Sequence, residues 1–340
     1  SAGNTLRLSV EPYGGGVWRG WLDRPLSVAG RVVIRQGDRL VSRLVNIDRD
    51  LLVIPSVAIH MDRSVNKGAE LNPAVDLLPL LGCGKEPGAF RKLIAEAAGV
   101  REEHLLSTEL FLYPRTKAVQ TGLNGEFIVS PRLDDLQCVF GCLEGFLAAK
   151  PGGSLPVLAV FNNEEVGSNT RQGADSTFLT DVLERIAHGC GLDSEGWKAA
   201  IANSFMVSAD NAHAIHPAHP EYADKGEFPV LGGGIVIKYN ANQRYTTDAV
   251  SGAVFQAICQ EAGVPVQRYS NRADLPGGST LGNISTAHLS VPTVDIGLPQ
   301  LAMHSVCETA GAADTDYLVK AMTAYFSRDF HRDRDGGIVF

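Results

Sequence analysis

From about residue 118 onwards, short apolar runs alternate with segments of helical length. The pattern predicts helices over 133–147, 177–188, 249–262 and 314–326, and strands over 155–161, 204–208, 264–269 and 292–296. A chain with this rhythm is confined to an α/β architecture, a sheet with helices packed on both faces. Sites in such folds gather at the carboxyl ends of strands. Three acidic residues fall there. Glu164 and Glu165 follow the run Leu155-Pro-Val-Leu-Ala-Val-Phe161, and Asp210 follows Phe205-Met-Val-Ser-Ala209.

The first third is β-like instead. Alternation predicts strands over 5–10 and 30–35, with a turn at Gln36-Gly37-Asp38, and further strands over 43–47, 51–54 and 110–113. A helix is expected over 89–98. The change of rhythm near residue 118 divides the chain into a β-rich domain, 1–117, and an α/β domain, 118–340.

Composition removes several function classes. A net charge of −8 argues against nucleic acid or an anionic membrane as partner. No apolar stretch reaches the length of about 18 residues that a membrane span requires. The six cysteines include no C-x-x-C pair, so buried reduced thiols and a cytoplasmic setting are expected. The start, Ser1-Ala-Gly-Asn-Thr5, has neither an initiator methionine nor a signal-peptide pattern, and residues upstream of it are expected.

Paired carboxylates at a strand end are costly unless a cation or a proton compensates them. Asp134 and His304 add further candidate ligands, and together the set points to a two-metal hydrolase. Neither an H-E-x-x-H helix nor a G-x-S-x-G elbow is present, which removes two other routes to hydrolysis. Each residue also has a plainer reading. Glu164 and Glu165 suit a solvated turn, Asp134 or Asp135 a helix cap, Asp210 a turn at Asn211, and His304 a core histidine.

The ordered set of segments then narrows the reading. Tyr13-Gly-Gly-Gly-Val-Trp18, Trp21-Leu-Asp-Arg-Pro-Leu26, Ile54-Pro-Ser-Val-Ala-Ile-His60, Arg132-Leu-Asp-Asp135, Glu164-Glu-Val-Gly-Ser168 and Ser208-Ala-Asp-Asn-Ala-His-Ala-Ile-His-Pro217 come first. Val236-Ile-Lys238, Asn242-Gln-Arg-Tyr245, Gly278-Ser-Thr-Leu-Gly282 and Asp295-Ile-Gly-Leu-Pro-Gln-Leu-Ala-Met-His304 follow. The chain resembles the aspartyl aminopeptidase family of dinuclear zinc exopeptidases.

That resemblance implies a zinc-exopeptidase-like mixed sheet flanked by helices, with 1–117 as most of an inserted β-rich dimerisation domain. It implies two zinc ions per subunit, with Asp134 bridging, Glu165 and His304 on one ion and Asp210 on the other. Glu164 would be the general base, and His213 and Lys238 would contact substrate, Lys238 suiting an acidic side chain. His60 would reach a neighbouring subunit's site within a homo-oligomer, dimer-based and dodecameric. The expected substrates are peptides with Asp or Glu first. One family ligand, a histidine in a His-x-Asp segment upstream of the glycine-rich stretch, has no counterpart before Tyr13. The alternatives are a related dinuclear aminopeptidase or deacylase of other specificity, or a catalytically silent, assembly-forming homologue.

Overall fold

A computed structural model describes residues 3–84, 86–150, 152–275 and 277–340 of the chain. The chain divides into two compact units, Ser1–Lys117 and Ala118–Phe340. In the first, β1 (Thr5–Arg7), β2 (Leu26–Gln36) and β3 (Arg39–Asn46) are followed by α1 (Pro73–Asp76), β4 (Leu80–Cys83), α2 (Ala89–Ala97) and β5 (Leu105–Pro114). β2 is the centre of an antiparallel sheet with β3 and β5 on its two sides. Its inward residues Leu26, Val28, Val32 and Ile34 pack with Ile94 of α2 and Leu105 of β5. Gly37, at φ 64°, makes the expected turn between β2 and β3.

Two expected strands are shorter than anticipated. The first keeps only Thr5–Arg7, paired with β4. The segment 51–54 contributes isolated bridges, Leu26 to Leu52 and Val53 to Leu80, and no strand. Alternation marks a half-buried extended segment, but a ladder also needs a neighbour in register.

The second unit begins with β6 (Val119–Thr121), β7 (Phe127–Ser130), α3 (Leu133–Ala148), α4 (Phe178–Gly189) and α5 (Ser194–Ala202). It continues through β8 (Met206–Ala209), β9 (Ala212–His213), β10 (Ile235–Tyr239), α6 (Ala249–Glu261), β11 (Val266–Ser270) and α7 (Leu281–His288). β12 (Thr293–Gly297), β13 (Pro299–Leu301), β14 (Glu308–Gly311) and α8 (Ala312–Phe326) complete the elements that matter here. One mixed sheet runs β11-β10-β12-β8, with β10–β12 antiparallel and its outer pairs parallel. A second runs β6-β7-β14-β13-β9.

The core of this unit holds Ile235, Ile237, Phe255, Ile258, Val294, Ile296 and Leu318. β12 is buried along its whole length, the pattern of a strand covered on both faces. α3 packs on α8 so closely that a side chain at Gly141 or Gly145 would overlap Leu318 or Met322. That contact fixes the axis of the helix whose first turn carries Asp134.

The expected strand over 155–161 does not form. Leu158 packs on the core, but Leu155, Val157 and Val160 are exposed, as is the face of α3 bearing Leu136, Phe140, Leu143 and Leu147. A short apolar run marks burial only on the side that finds a partner. The cysteines also depart from expectation. All six are free, yet Cys83 and Cys190 are exposed, while Cys138, Cys142 and Cys259 are buried. Among the described residues no helix is long and apolar enough to cross a membrane.

Asp314 gives this fold a pH dependence. Its fully buried carboxylate accepts from Gly232 N at 2.8 Å and Gly234 N at 2.9 Å. Burial nevertheless pushes its pKa up from 3.8 to about 6, against those hydrogen bonds. The folded state therefore holds an extra proton between these two values, and stability falls as pH rises through that window. The expected loss is on the order of 3 kcal/mol, complete above about pH 7. The pH dependence of melting in Asp314→Asn should be shallower than in the wild type by this amount; a slope equal to that of the wild type would refute the assignment.

Candidate active site

The two sheets of the second unit meet where the parallel pair β8/β12 continues into the parallel pair β9/β13. Asp210 and Asn211 lie at that junction, between β8 and β9. Gly297 faces them so tightly that any side chain there would run into the Asp210 carbonyl. Asp210 is thereby held at the end of a half-buried strand.

Asp134 enters from the first turn of α3. Arg132 before it has φ 59°, Asp134 and Asp135 have non-helical dihedrals, and the peptide between the two aspartates is cis. Glu164 and Glu165 open a 3-10 turn after Asn163, which has φ 59°. His304 follows β13 in the loop to β14, with φ 64°, and Ala302 has φ 57°. Left-handed backbone at residues other than glycine costs of order 1–2 kcal/mol and persists only where surrounding contacts enforce it. Here such residues lie in three of the four ligand-bearing segments, all but the β8–β9 junction that carries Asp210.

These segments converge. His304 Nε2 lies 3.2 Å from Asp134 Oδ2 and 3.3 Å from Glu165 Oε2. Donor atoms of Asp134, Glu165 and His304 fall within 4.8 Å of one another, and so do those of Asp134, Asp135 and Asp210. Asp134 belongs to both groups. One imidazole with carboxylates is a donor set that zinc accepts, and a shared carboxylate between two groups suits a pair of cations. The carboxylates fit a cation electrostatically as well. Burial and the negative charge of Asp210 push Glu164 up to about 7. Burial, only partly offset by His304, does the same to Glu165. Asp210 rises to about 6 through burial, although Lys238 opposes it. A positive charge at this point would relieve every one of these shifts.

Around the ligands runs a buried polar network that the sequence reading missed. Asn211 donates its backbone N–H to Asp135 Oδ1 at 3.0 Å and accepts from Lys238 Nζ at 2.8 Å. Its side-chain amide donates to Gln300 Oε1 at 2.7 Å and its oxygen accepts from the Cys138 thiol at 2.8 Å. Asp135 is therefore no helix cap; it is half-buried, joined to Asn211, and a member of the second donor group. The run Ala-Asp-Asn-Ala carried no signal for this, because Asn211 acts through backbone atoms as much as through its amide.

Lys238 is 2% exposed, with Nζ 3.7 Å from Asp210 Oδ2 and 5.4 Å from the Tyr245 ring centroid. Burial alone would lower its pKa, but Asp210 reverses the direction and raises it. His213 is placed at the edge of a cavity of about 320 Å³, which Tyr269, Gly277, Gly278 and Met303 also line. Burial and then Lys238 lower its pKa. His216 and His219 line the same cavity, with His219 Nδ1 2.9 Å from Glu221. His60 belongs to the first unit, in an exposed turn.

Residues 1–326 match the family described as Aminopeptidase I zinc metalloprotease (M18). The chain belongs to the M18 aminopeptidase family. A probable M18 family aminopeptidase 2 from Clostridium acetobutylicum is 45% identical over 333 residues, 96% of this chain and 77% of that protein. Among solved structures, one from the Ape4 and Nbr1 complex superposes with a TM-score of 0.88 at 36% identity, covering 96% of this chain and 67% of that one. The S. cerevisiae mApe1 dodecamer matches with a TM-score of 0.78 at 27% identity, covering 95% and 73%. As an M18 chain, this protein is a zinc-dependent aminopeptidase by family, with a mixed α/β fold. The two donor groups centred on Asp134 are where an M18 zinc centre fits.

Proposed function

We propose that this chain removes the first residue of peptides, preferring Asp or Glu there, as one subunit of a cytoplasmic homo-oligomer. The observation that carries the hydrolytic part is the membership of Asp134 in both donor groups, with Glu164 beside them. In this reading two zinc ions would be held by these side chains, with Asp134 shared, Glu165 and His304 serving one and Asp210 the other. Zinc bound there supplies Lewis acidity and makes water easier to deprotonate. Glu164, ionised beside positive charge, takes the proton from water and returns it to the leaving amine. Asp135 and Asn211 hold Asp210 and Lys238 in place, so that little reorganisation accompanies the step. The convergence of two donor groups on Asp134 argues against a catalytically silent homologue.

The acidic preference rests on Lys238 and His213. Lys238 does not line the cavity, so its charge acts on an acidic side chain through a low-dielectric interior rather than by exposed contact. His213, at the cavity edge, is the group placed to donate to such a side chain. The assembly is supported by the dodecamer that the S. cerevisiae relative forms, and the residues 1–117 are read as the dimerising insert. His60 is assigned to the site of a neighbouring copy, where it steadies the developing oxyanion. The cytoplasmic setting is supported by six free thiols.

A panel of peptides differing only in the first residue tests the preference. Asp- and Glu-first peptides should show the highest kcat/KM, and Lys238→Met should reduce their advantage over neutral first residues by about tenfold. An unchanged ratio in Lys238→Met, with zinc retained, would remove Lys238 from specificity.

A further inference from the structure

Glu308 opens β14 and is 2% exposed, yet it belongs to neither donor group. The antiparallel register of β14 on β7 sets it opposite Ser130, just ahead of the turn that carries Asp134. Both of its carboxylate oxygens are used. Oε2 accepts the backbone N–H of Asp134 at 3.0 Å, across a separation of 174 residues. Oε1 accepts the backbone N–H of His304 at 2.7 Å. One buried side chain thus grips the main chain of two residues whose side chains meet 3.2 Å apart.

We infer that Glu308 is a positioning residue that sets the spacing of Asp134 and His304 and so tunes the affinity of their shared cation. The inference rests on the reading of those two residues as zinc ligands. Its physical basis is the position of the two bonds. Each falls on a backbone N–H where the chain departs from regular structure, the left-handed φ of 64° at His304 and the extended dihedrals of Asp134 at the start of α3. Charge-assisted bonds to backbone N–H groups are about twice as strong as neutral ones, and two from one carboxylate fix an orientation as well as a distance. Without them the loop from β13 to β14 is free to relax out of its left-handed turn, carrying the imidazole away from Asp134. Groups that orient ligands typically change metal affinity 10–100-fold when altered.

Two variants test this. Glu308→Gln keeps the shape but turns an amide N–H₂ toward one of the two backbone donors; Glu308→Asp keeps the charge but is one methylene too short to reach both. Asp314→Asn is the control, because that buried carboxylate also holds two backbone N–H groups but on segments without ligands. Cobalt(II), titrated against a competing chelator into the metal-free full chain, gives affinity and a visible spectrum that reports ligand geometry. Near-UV circular dichroism establishes that each variant is folded. The expected result for both Glu308 variants is a loss of 10–100-fold in affinity for one of the two ions and an altered cobalt spectrum, with kcat lowered and KM within about twofold. Asp314→Asn should melt differently yet bind cobalt as the wild type does. Folded Glu308→Gln or Glu308→Asp with wild-type cobalt affinity and spectrum would overturn the proposal, and so would an equal loss in Asp314→Asn. Failure of the wild type itself to bind cobalt would instead defeat the underlying reading of the site.

Discussion

Glu164→Gln is expected to lower kcat by about 10²–10⁴-fold while leaving zinc content at the wild-type level. The amide has nearly the shape of the carboxylate but accepts no proton at neutral pH. Glu164 lies in neither donor group, so its replacement does not remove a ligand. Its pKa of about 7 in the metal-free protein comes first from burial and then from Asp210, Glu165 and Asp134. Metal analysis alongside steady-state kinetics on an acidic-first peptide is the measurement. Turnover within a few-fold of wild type would remove Glu164 as the base; loss of zinc would show that it holds metal instead.

The second large effect belongs to Asp134. Asp134→Asn should abolish turnover and the thermal stabilisation that zinc confers, since this residue alone is common to both donor groups. A ligand at about a hundred times its dissociation constant stabilises a protein by about 2.7 kcal/mol, and that increment should vanish. The metal-free variant should behave in the opposite direction. The charge of Asp134 raises the pKa values of Glu164, Glu165 and Asp210, so at neutral pH it adds repulsion that the variant lacks. Metal-free Asp134→Asn should therefore melt no lower than the metal-free wild type. Differential scanning calorimetry with and without zinc separates the two effects. A large zinc-induced shift retained by the variant would dismiss the shared-ligand reading, and a much lower metal-free melt would mark Asp134 as a structural residue.

How much of this was legible in the sequence depends on how far each signal reaches. The helices over 133–147, 249–262 and 314–326 were visible because an amphipathic or buried helix repeats its pattern within one segment. The strand expected over 155–161 failed because its apolar character is local while a ladder is not. At the site, Asp134, Glu165, Asp210 and His304 were named from motif residues, and the structure brings them together. Asp135 and Asn211 were missed as members of one network. Asp135 resembled a cap, and the partners of Asn211 come from α3, β10 and β13, elements that nothing in the local sequence joins. Lys238 was expected to face the pocket; its burial was legible only from β10 being the inner strand of a mixed sheet.

The ligand-bearing turns lie on α3, the 3-10 turn at Glu164–Val166, the β8–β9 junction and the β13–β14 loop, and they become neighbours only through the tertiary pairing of both sheets. A nascent or unfolded chain holds these donors too far apart to chelate. Tight metal binding accordingly presupposes the tertiary pairing of both sheets, and occupancy by zinc serves as a certificate that the chain has reached its finished topology.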